Sequence, residues 1–456
     1  MSLKMPEWRV HSLAEVYDFA SGLSKPRSEF GSGFPFLSFK DVFYNRFVPK
    51  TLENLVQSSD AERKKCSVKR GDVFLTRTSE TMDELGMSCI SLSDVPDATF
   101  NGFTKRLRPK DESYILPEYA GYYFSSPRFR QSVNAMSTMS TRASLNNDML
   151  SRLEIVVPEP DEQLRIANVL KPLDDKIELN RRMNETLEEM ARALFRDWFV
   201  DFGPTRRQME GATDPAAIMG HAFPPEKAAT LAPLFPAELG DDGLPEGWEM
   251  ETLGDFVERS GGSIQTGPFG SQLHKSDYAQ RGVPVLMPAN LTYSQIKQEG
   301  VAYITEEKAN SLAKHRCQPG DIIYGRRGDI GRKALISEAQ NGWLCGTGCL
   351  KVSVHSKERS PNVLFMQLDT ESAVQWIRSR AIGATMPNLN TKTLGGLPIL
   401  KIGCELSAPF TEIAGPLEEK RQQNDAENQT LSALRDLLLP KLMSGNIRLK
   451  DAEAAL

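Results

Sequence analysis

The sequence predicts an α+β chain of two tandem mixed α/β domains, each followed by a long α-helix. The two helices are expected to pair as an antiparallel coiled coil with pseudo-two-fold symmetry. Three observations predict this: an internal repeat, short apolar runs punctuated by Gly and Pro in two globular stretches, and an unbroken heptad seam after the first of them.

The repeat sets the domain count. Trp8 and Leu13 recur as Trp248 and Leu253, Gly71-Asp72 and Arg77 as Gly320-Asp321 and Arg326, and Leu145-Asn146 as Leu389-Asn390. Pro172-Leu173 recurs as Pro416-Leu417, and Asn180, Asn184 and Thr186-Leu187 recur as Asn424, Asn428 and Thr430-Leu431. The offset drifts between 240 and 249 in the globular part and holds at 244 in the helical part. Insertions are therefore confined to the globular part, and a duplicated chain can place two similar surfaces about a two-fold axis. The expected boundaries are a first domain over 1–157, a helix over 158–202, a Pro- and Ala-rich linker over 203–247, a second domain over 248–403, and a helix with its tail over 404–456.

Within each domain, runs such as Asp72-Val73-Phe74-Leu75 and Asp321-Ile322-Ile323-Tyr324 read as strands. Leu153 to Val157 and Leu397 to Leu400 read as strands that close each domain. One helix per domain is expected, Pro117 to Met136 and Pro361 to Ala381, since proline suits the first helical position. Asp72 and Asp321 read as turn residues ahead of a strand.

The helical segments carry the clearest period. Ile166, Leu170, Leu173, Ile177, Asn180, Asn184, Leu187, Ala191, Leu194 and Trp198 are spaced alternately by four and three, the a/d seam of a coiled coil. The matching positions are Phe410, Ala414, Leu417, Arg421, Asn424, Asn428, Leu431, Arg435, Leu438 and Leu442. Asn180, Asn184, Asn424 and Asn428 occupy the same two central places, where a buried amide needs a partner and can fix register. An antiparallel pair sets Asn180 near Asn428 and Asn184 near Asn424. A helix over 162–199 spans roughly 57 Å, more than one turn of duplex DNA.

Charge is unevenly distributed. The net formal charge is −5, yet residues 1–157 hold 21 Lys+Arg against 19 Asp+Glu and residues 248–403 hold 18 against 14. Residues 158–247 hold 10 against 18 and residues 404–456 hold 6 against 9. Mildly basic globular domains suit phosphates, while the acidic helical segments suit protein partners or plain solvation. Six scattered cysteines and the absence of an apolar stretch of membrane-span length point to a cytoplasmic chain with no membrane segment. The N-terminus lacks a signal-peptide core.

Catalytic signatures are missing. There is no Asn/Asp-Pro-Pro-aromatic motif of an amino-methyltransferase, no G-x-G-x-x-G fingerprint and no phosphate-binding G-x-x-x-x-G-K-[ST] loop. The five histidines are dispersed, and Cys345-x3-Cys349 does not have zinc-site spacing. No metal or cofactor is expected. The chain reads as a binder and not as a catalyst.

Three stretches are candidate reading surfaces. The first is a Gly-rich loop with Gly267, Phe269, Gly270, Ser271, His274 and Lys275, whose donors suit base edges and phosphates. The second is the turn bearing Arg326, Arg327, Arg332 and Lys333; its first-domain counterpart starts at Arg77 and Thr78. Arginine can grip guanine O6 and N7 with two hydrogen bonds, and glycine admits close approach of the backbone. The third joins Lys105, Arg106 and Arg108 with Arg142, although the first three read sooner as a solvated strand face.

Together these motifs resemble the specificity (S) subunit of type I restriction-modification systems. The resemblance rests on Leu244-Pro245-Glu246-Gly247-Trp248, Gly267-Pro268-Phe269-Gly270-Ser271, Pro319-Gly320-Asp321-Ile322-Ile323 and Leu194-Phe195-x2-Trp198-Phe199. Leu438-Leu439-Pro440-Lys441-Leu442-Met443-Ser444-Gly445 completes it. The resemblance implies two target-recognition domains that read the halves of a split site in double-stranded DNA, with the helices as a ruler for the unread spacer. It implies two methyltransferase subunits and restriction subunits as partners, which would bring methyl donor, ATP and magnesium. The first domain departs from the pattern in lacking the Gly-Pro-Phe-Gly-Ser loop. A free-standing DNA-binding regulator or scaffold is the alternative that the residues alone allow.

Overall fold

The computed structural model describes residues 8–79, 84–136, 143–292, 296–298, 300–327, 330–354, 360–380 and 388–445. The chain folds as two compact units: residues 1–182 with 423–456, and residues 183–422. Each unit thus owns one globular domain and a stretch of both long helices, Pro160–Phe199 and Cys404–Met443.

In the first unit, Arg9–Ser12 pairs antiparallel with Glu154–Val157 and closes the domain on itself. A four-stranded antiparallel sheet follows the order Tyr17–Ser21, Thr104–Pro109, Val73–Thr76, Ser88–Ile90. A second sheet sets Phe30–Leu37 antiparallel to Leu55–Val56 and parallel to Thr99–Phe100. Alternating apolar residues explain the first sheet's burial. Val73, Leu75 and Leu107 face Tyr119, Phe124, Ile166, Leu170, Leu438 and Leu442 in one core. Phe74 and Phe100 point the other way, into a smaller core under the second sheet.

The second unit repeats this plan. Met250–Thr252 pairs with Pro398–Leu400. The four-stranded sheet runs Ser263–Thr266, Cys349–Ser353, Ile322–Gly325, Lys333–Leu335, all antiparallel. The other sheet again holds one parallel pair, Val283–Leu286 with Leu344–Cys345.

Local chemistry repeats as well. The Asp72 carboxylate accepts from the Lys69 amide at 2.8 Å, and the Asp321 carboxylate from the Gln318 amide at 2.9 Å, closing the same turn before the same strand. Asn146 and Asn390 each cap a short helix, accepting from Met149 N and Thr393 N.

Each single helix expected after Pro117 and Pro361 is a pair: Pro117–Phe124 with Pro127–Met136, and Pro361–Gln367 with Glu371–Arg380. Pro127 cannot donate an interior helical hydrogen bond and starts a new helix. In the second unit the Thr370 hydroxyl accepts from Ala373 N and starts one there.

The segment 203–247, expected as a linker, contains the helices Gly203–Met209, Pro215–Ile218 and Pro225–Leu231. They cover the end of the first long helix. Trp198 is fully buried, with Phe235 and Phe410 rings 5.1 and 5.8 Å away. Burying aromatics of this size contributes enough apolar area to order a short segment.

The seam is apolar at its ends and polar at its centre. In the first unit Ile166, Leu170 and Leu173 pack with Leu438 and Leu442, Ile177 is buried, and Asn180 Nδ2 donates to Asn428 Oδ1 at 3.0 Å and to Glu427 Oε2 at 2.7 Å. In the second, Phe195 packs on Phe410 and Asn184 Nδ2 donates to the Arg421 carbonyl at 3.4 Å. Positions rise on one helix as they fall on the other, so the pairing within each unit is antiparallel.

Candidate nucleic-acid interface

One end of each four-stranded sheet gathers the loops singled out in the sequence. In the second unit, Thr266 ends one strand, Gly325 ends another and Cys349 begins the strand between them. The Thr347-Gly348 turn joins the loops: Thr347 Oγ1 donates to the Pro268 carbonyl at 2.9 Å, and the Gly348 carbonyl accepts from Arg326 N at 2.9 Å. Gly267 must be glycine here, because a Cβ would lie 2.0 Å from the Gly346 carbonyl oxygen.

The first unit builds the same junction from different residues. Gly22 is the counterpart of Gly267, with a Cβ position 2.2 Å from the Asn101 carbonyl oxygen. Arg77 N donates to the Phe103 carbonyl at 3.0 Å, as Arg326 N does to Gly348. The Arg77 carbonyl then accepts from Leu145 N at 2.8 Å, and the Arg326 carbonyl from Leu389 N at 2.9 Å. Two arginines 249 residues apart are thereby clamped at both backbone groups in the same way.

The side chains around these junctions differ. Phe269 is 58% exposed, and Gly270, Ser271, His274 and Lys275 are exposed beside it. Arg327 is exposed and Arg326 and Arg332 half-buried. Arg326 Nε donates to Asn388 Oδ1 at 3.2 Å, and burial, with the Arg327 charge, holds its pKa below the ordinary value. In the first unit Arg77 and Thr78 are half-buried. Phe103, 62% exposed, stands at this junction, and Ser24 and Arg27 are exposed on the loop after Gly22. Sequence reading missed Gly22, Ser24 and Phe103. Their signal was the offset of 245 that relates Gly22 to Gly267 and Phe103 to Gly348.

Three basic residues expected on the reading surface are interior instead. Lys105 is 8% exposed, its ammonium donating to Ser21 Oγ and Asn147 Oδ1, both at 2.8 Å. Burial, then the neighbouring Arg77, lowers its pKa. Arg106, also 8% exposed, donates to the Ser67 carbonyl at 2.8 Å and lies over Phe100. Lys333 is buried in an ion pair with Asp369 and packs on the Phe365 ring. A strand inside a two-sheet domain buries both faces, so its charged residues must find partners there. Arg108 likewise pairs with the buried Asp72. Arg142 lies outside the described residues.

A tandem pair of matching two-sheet domains, each with a variable loop cluster at one sheet end, defines a duplicated recognition scaffold. The family described as type I restriction modification DNA specificity domain matches residues 5–189 and 245–400, and the chain belongs to it with two copies of that domain. It is a specificity subunit, with a recognition role and not a catalytic one. The HindI specificity subunit of Haemophilus influenzae is 27% identical over 480 residues, covering 97% of this chain and 100% of its own. The MjaIX specificity subunit of Methanocaldococcus jannaschii is 24% identical, covering 98% and 95%. The crystal structure of the type I S subunit from M. genitalium superposes with a TM-score of 0.55 at 15% identity over 97% of this chain and 98% of its own, a likeness of fold. No helix among the described residues is long and apolar enough to cross a membrane.

Proposed function

We propose that each domain reads one half of a split double-stranded DNA target through the loop cluster at its sheet end. The observation that carries this reading is the duplicated arginine clamp: Arg77 and Arg326 have both backbone groups tied down while the surrounding loops vary. A fixed anchor with exchangeable neighbours suits a domain that keeps its fold and changes its sequence preference. Phe269, Ser271, His274, Lys275, Arg326, Arg327 and Arg332 would make the contacts of the second domain. Arg77, Thr78, Ser24 and Phe103 would make those of the first. Arginines supply base-edge grip, and serine, threonine and lysine supply phosphate contacts.

The paired helices would set the length of the unread spacer and carry two methyltransferase subunits, to which restriction subunits add cleavage. Methyl donor, ATP and magnesium would enter with those partners, in the cytoplasm. The test is to insert one heptad into each helix, within 173–191 and within 417–435, and to map methylation in cells with a methyltransferase subunit. Both half-sites should persist with a longer spacer. An unchanged spacer would reject the ruler.

A further inference from the structure

The second unit holds an open cleft of about 530 Å³ at a place the first unit fills with its own chain. In the first unit, Arg46 and Arg435 both reach the Asp174 carboxylate, and Tyr122 OH donates to it at 3.0 Å. Phe47 lies 5.8 Å from the Tyr122 ring, in space left by Gly121, where a Cβ would fall 2.3 Å from it. The backbone of this segment docks as an extra edge strand. Ile90 N donates to the Arg46 carbonyl and Val48 N to the Ile90 carbonyl, both at 2.9 Å.

The repeat maps this socket onto the cleft residue by residue. The helical offset of 244 makes Glu418 the counterpart of Asp174, Ala191 that of Arg435 and Met366 that of Tyr122. Strand register makes Leu335 the counterpart of Ile90, since Ile322 pairs with Leu335 as Val73 pairs with Ile90. All four line the cleft. The arginine that fills the first socket is thus an alanine in the second, and Glu418 is engaged by Arg421 of its own helix at 2.8 Å. Five carboxylates line the cleft, Glu188, Glu189, Asp369, Glu371 and Glu418, against three arginines. Arg192 pairs with Glu188 and Asp369, Lys333 with Asp369 and Arg421 with Glu418, so the lining keeps a small excess of negative charge that favours a cation.

We infer that this cleft receives an extended segment of a protein partner, laid along the Leu335 edge with an arginine side chain directed at Glu418. Strand addition supplies backbone hydrogen bonds and the pocket supplies side-chain choice. The inference does not depend on how DNA is read.

The test uses a fluorescein-labelled peptide of residues 42–50 of this chain, the segment that fills the first socket, titrated with the full chain and followed by anisotropy. Saturable binding is expected, weakened at least about tenfold by Arg46→Ala in the peptide and by Glu418→Gln in the chain, which removes the charge that faces the arginine. Circular dichroism checks that Glu418→Gln folds, and Glu418→Lys, which reverses the charge, is a second variant expected to weaken binding further in the same direction. No saturable binding up to about 1 mM would overturn the inference. So would binding that is unmoved by both chain variants, whether it arises from a second copy or from a nonspecific surface.

Discussion

Asn180 donates its amide to Asn428 across two helices 248 residues apart in sequence, in the polar stretch of a seam that is otherwise largely apolar. A buried amide bonded across the seam holds register because sliding either helix would strand it. Asn180→Leu should cost about 1–3 kcal/mol, since it leaves Asn428 without this partner. The double variant Asn180→Leu, Asn428→Leu should recover part of the loss, as an apolar pair replaces the amide pair and leaves neither amide stranded. Thermal unfolding of the two singles and the double decides this. Additive losses would mean the amides do not act together.

Asp174 is the node of the first unit. Burial opposes the Arg435 charge, but the hydrogen bond and charge of Asp174 outweigh it and raise that pKa. Asp174→Ala leaves Arg46 and the Tyr122 hydroxyl without this acceptor and Arg435 with only Asp436, and should destabilise the unit by about 3 kcal/mol. Urea unfolding followed by the first unit's tyrosine fluorescence would measure it. A loss below about 0.5 kcal/mol would show the network to be solvated.

Arg326→Ala should weaken recognition by about 1–3 kcal/mol and relax only the half-site read by the second domain. Arg77→Ala should do the same for the other half. Competition binding with half-site variants separates the effects. An equal loss at both halves in either variant would point to a purely structural arginine.

His315 gives a pH dependence. Its pKa is pushed down to about 4, first by burial and then by the charges of Lys314 and Lys351. The folded form is therefore neutral where the unfolded form takes up a proton, below about pH 6.5. Stability of the second unit is complete above that value and falls as pH drops toward 4, by up to about 3 kcal/mol. Unfolding midpoints between pH 7 and 4 should fall less steeply in His315→Gln. An identical slope would remove His315 as the cause.

Much of this was legible in the sequence where a single residue type fixes a local geometry. The four-three spacing gave the seam, and Asp72 and Asp321 closed the turns expected of them, whereas Asn146 and Asn390 stood out only as a repeat and their capping role emerged in the fold. What escaped depended on neighbours far along the chain. Lys105 and Arg106 read as a basic strand face because nothing local announces Ser21, Asn147 or Ser67 as their partners. The fold of 203–247 depends on covering Trp198, a demand set by another segment. The first domain's loop was hidden because Gly22 keeps the backbone constraint of Gly267 while the residues after it change entirely.

Under the proposed function, the two domains together specify one split DNA sequence. The direct measurement is a methylome of cells that express this chain with a type I methyltransferase subunit, compared with cells expressing either alone. A bipartite methylated motif is expected only when both are present, with one half altered by Arg77→Ala and the other by Arg326→Ala. No modification from a soluble, assembled complex, or a motif without two separable halves, would contradict it.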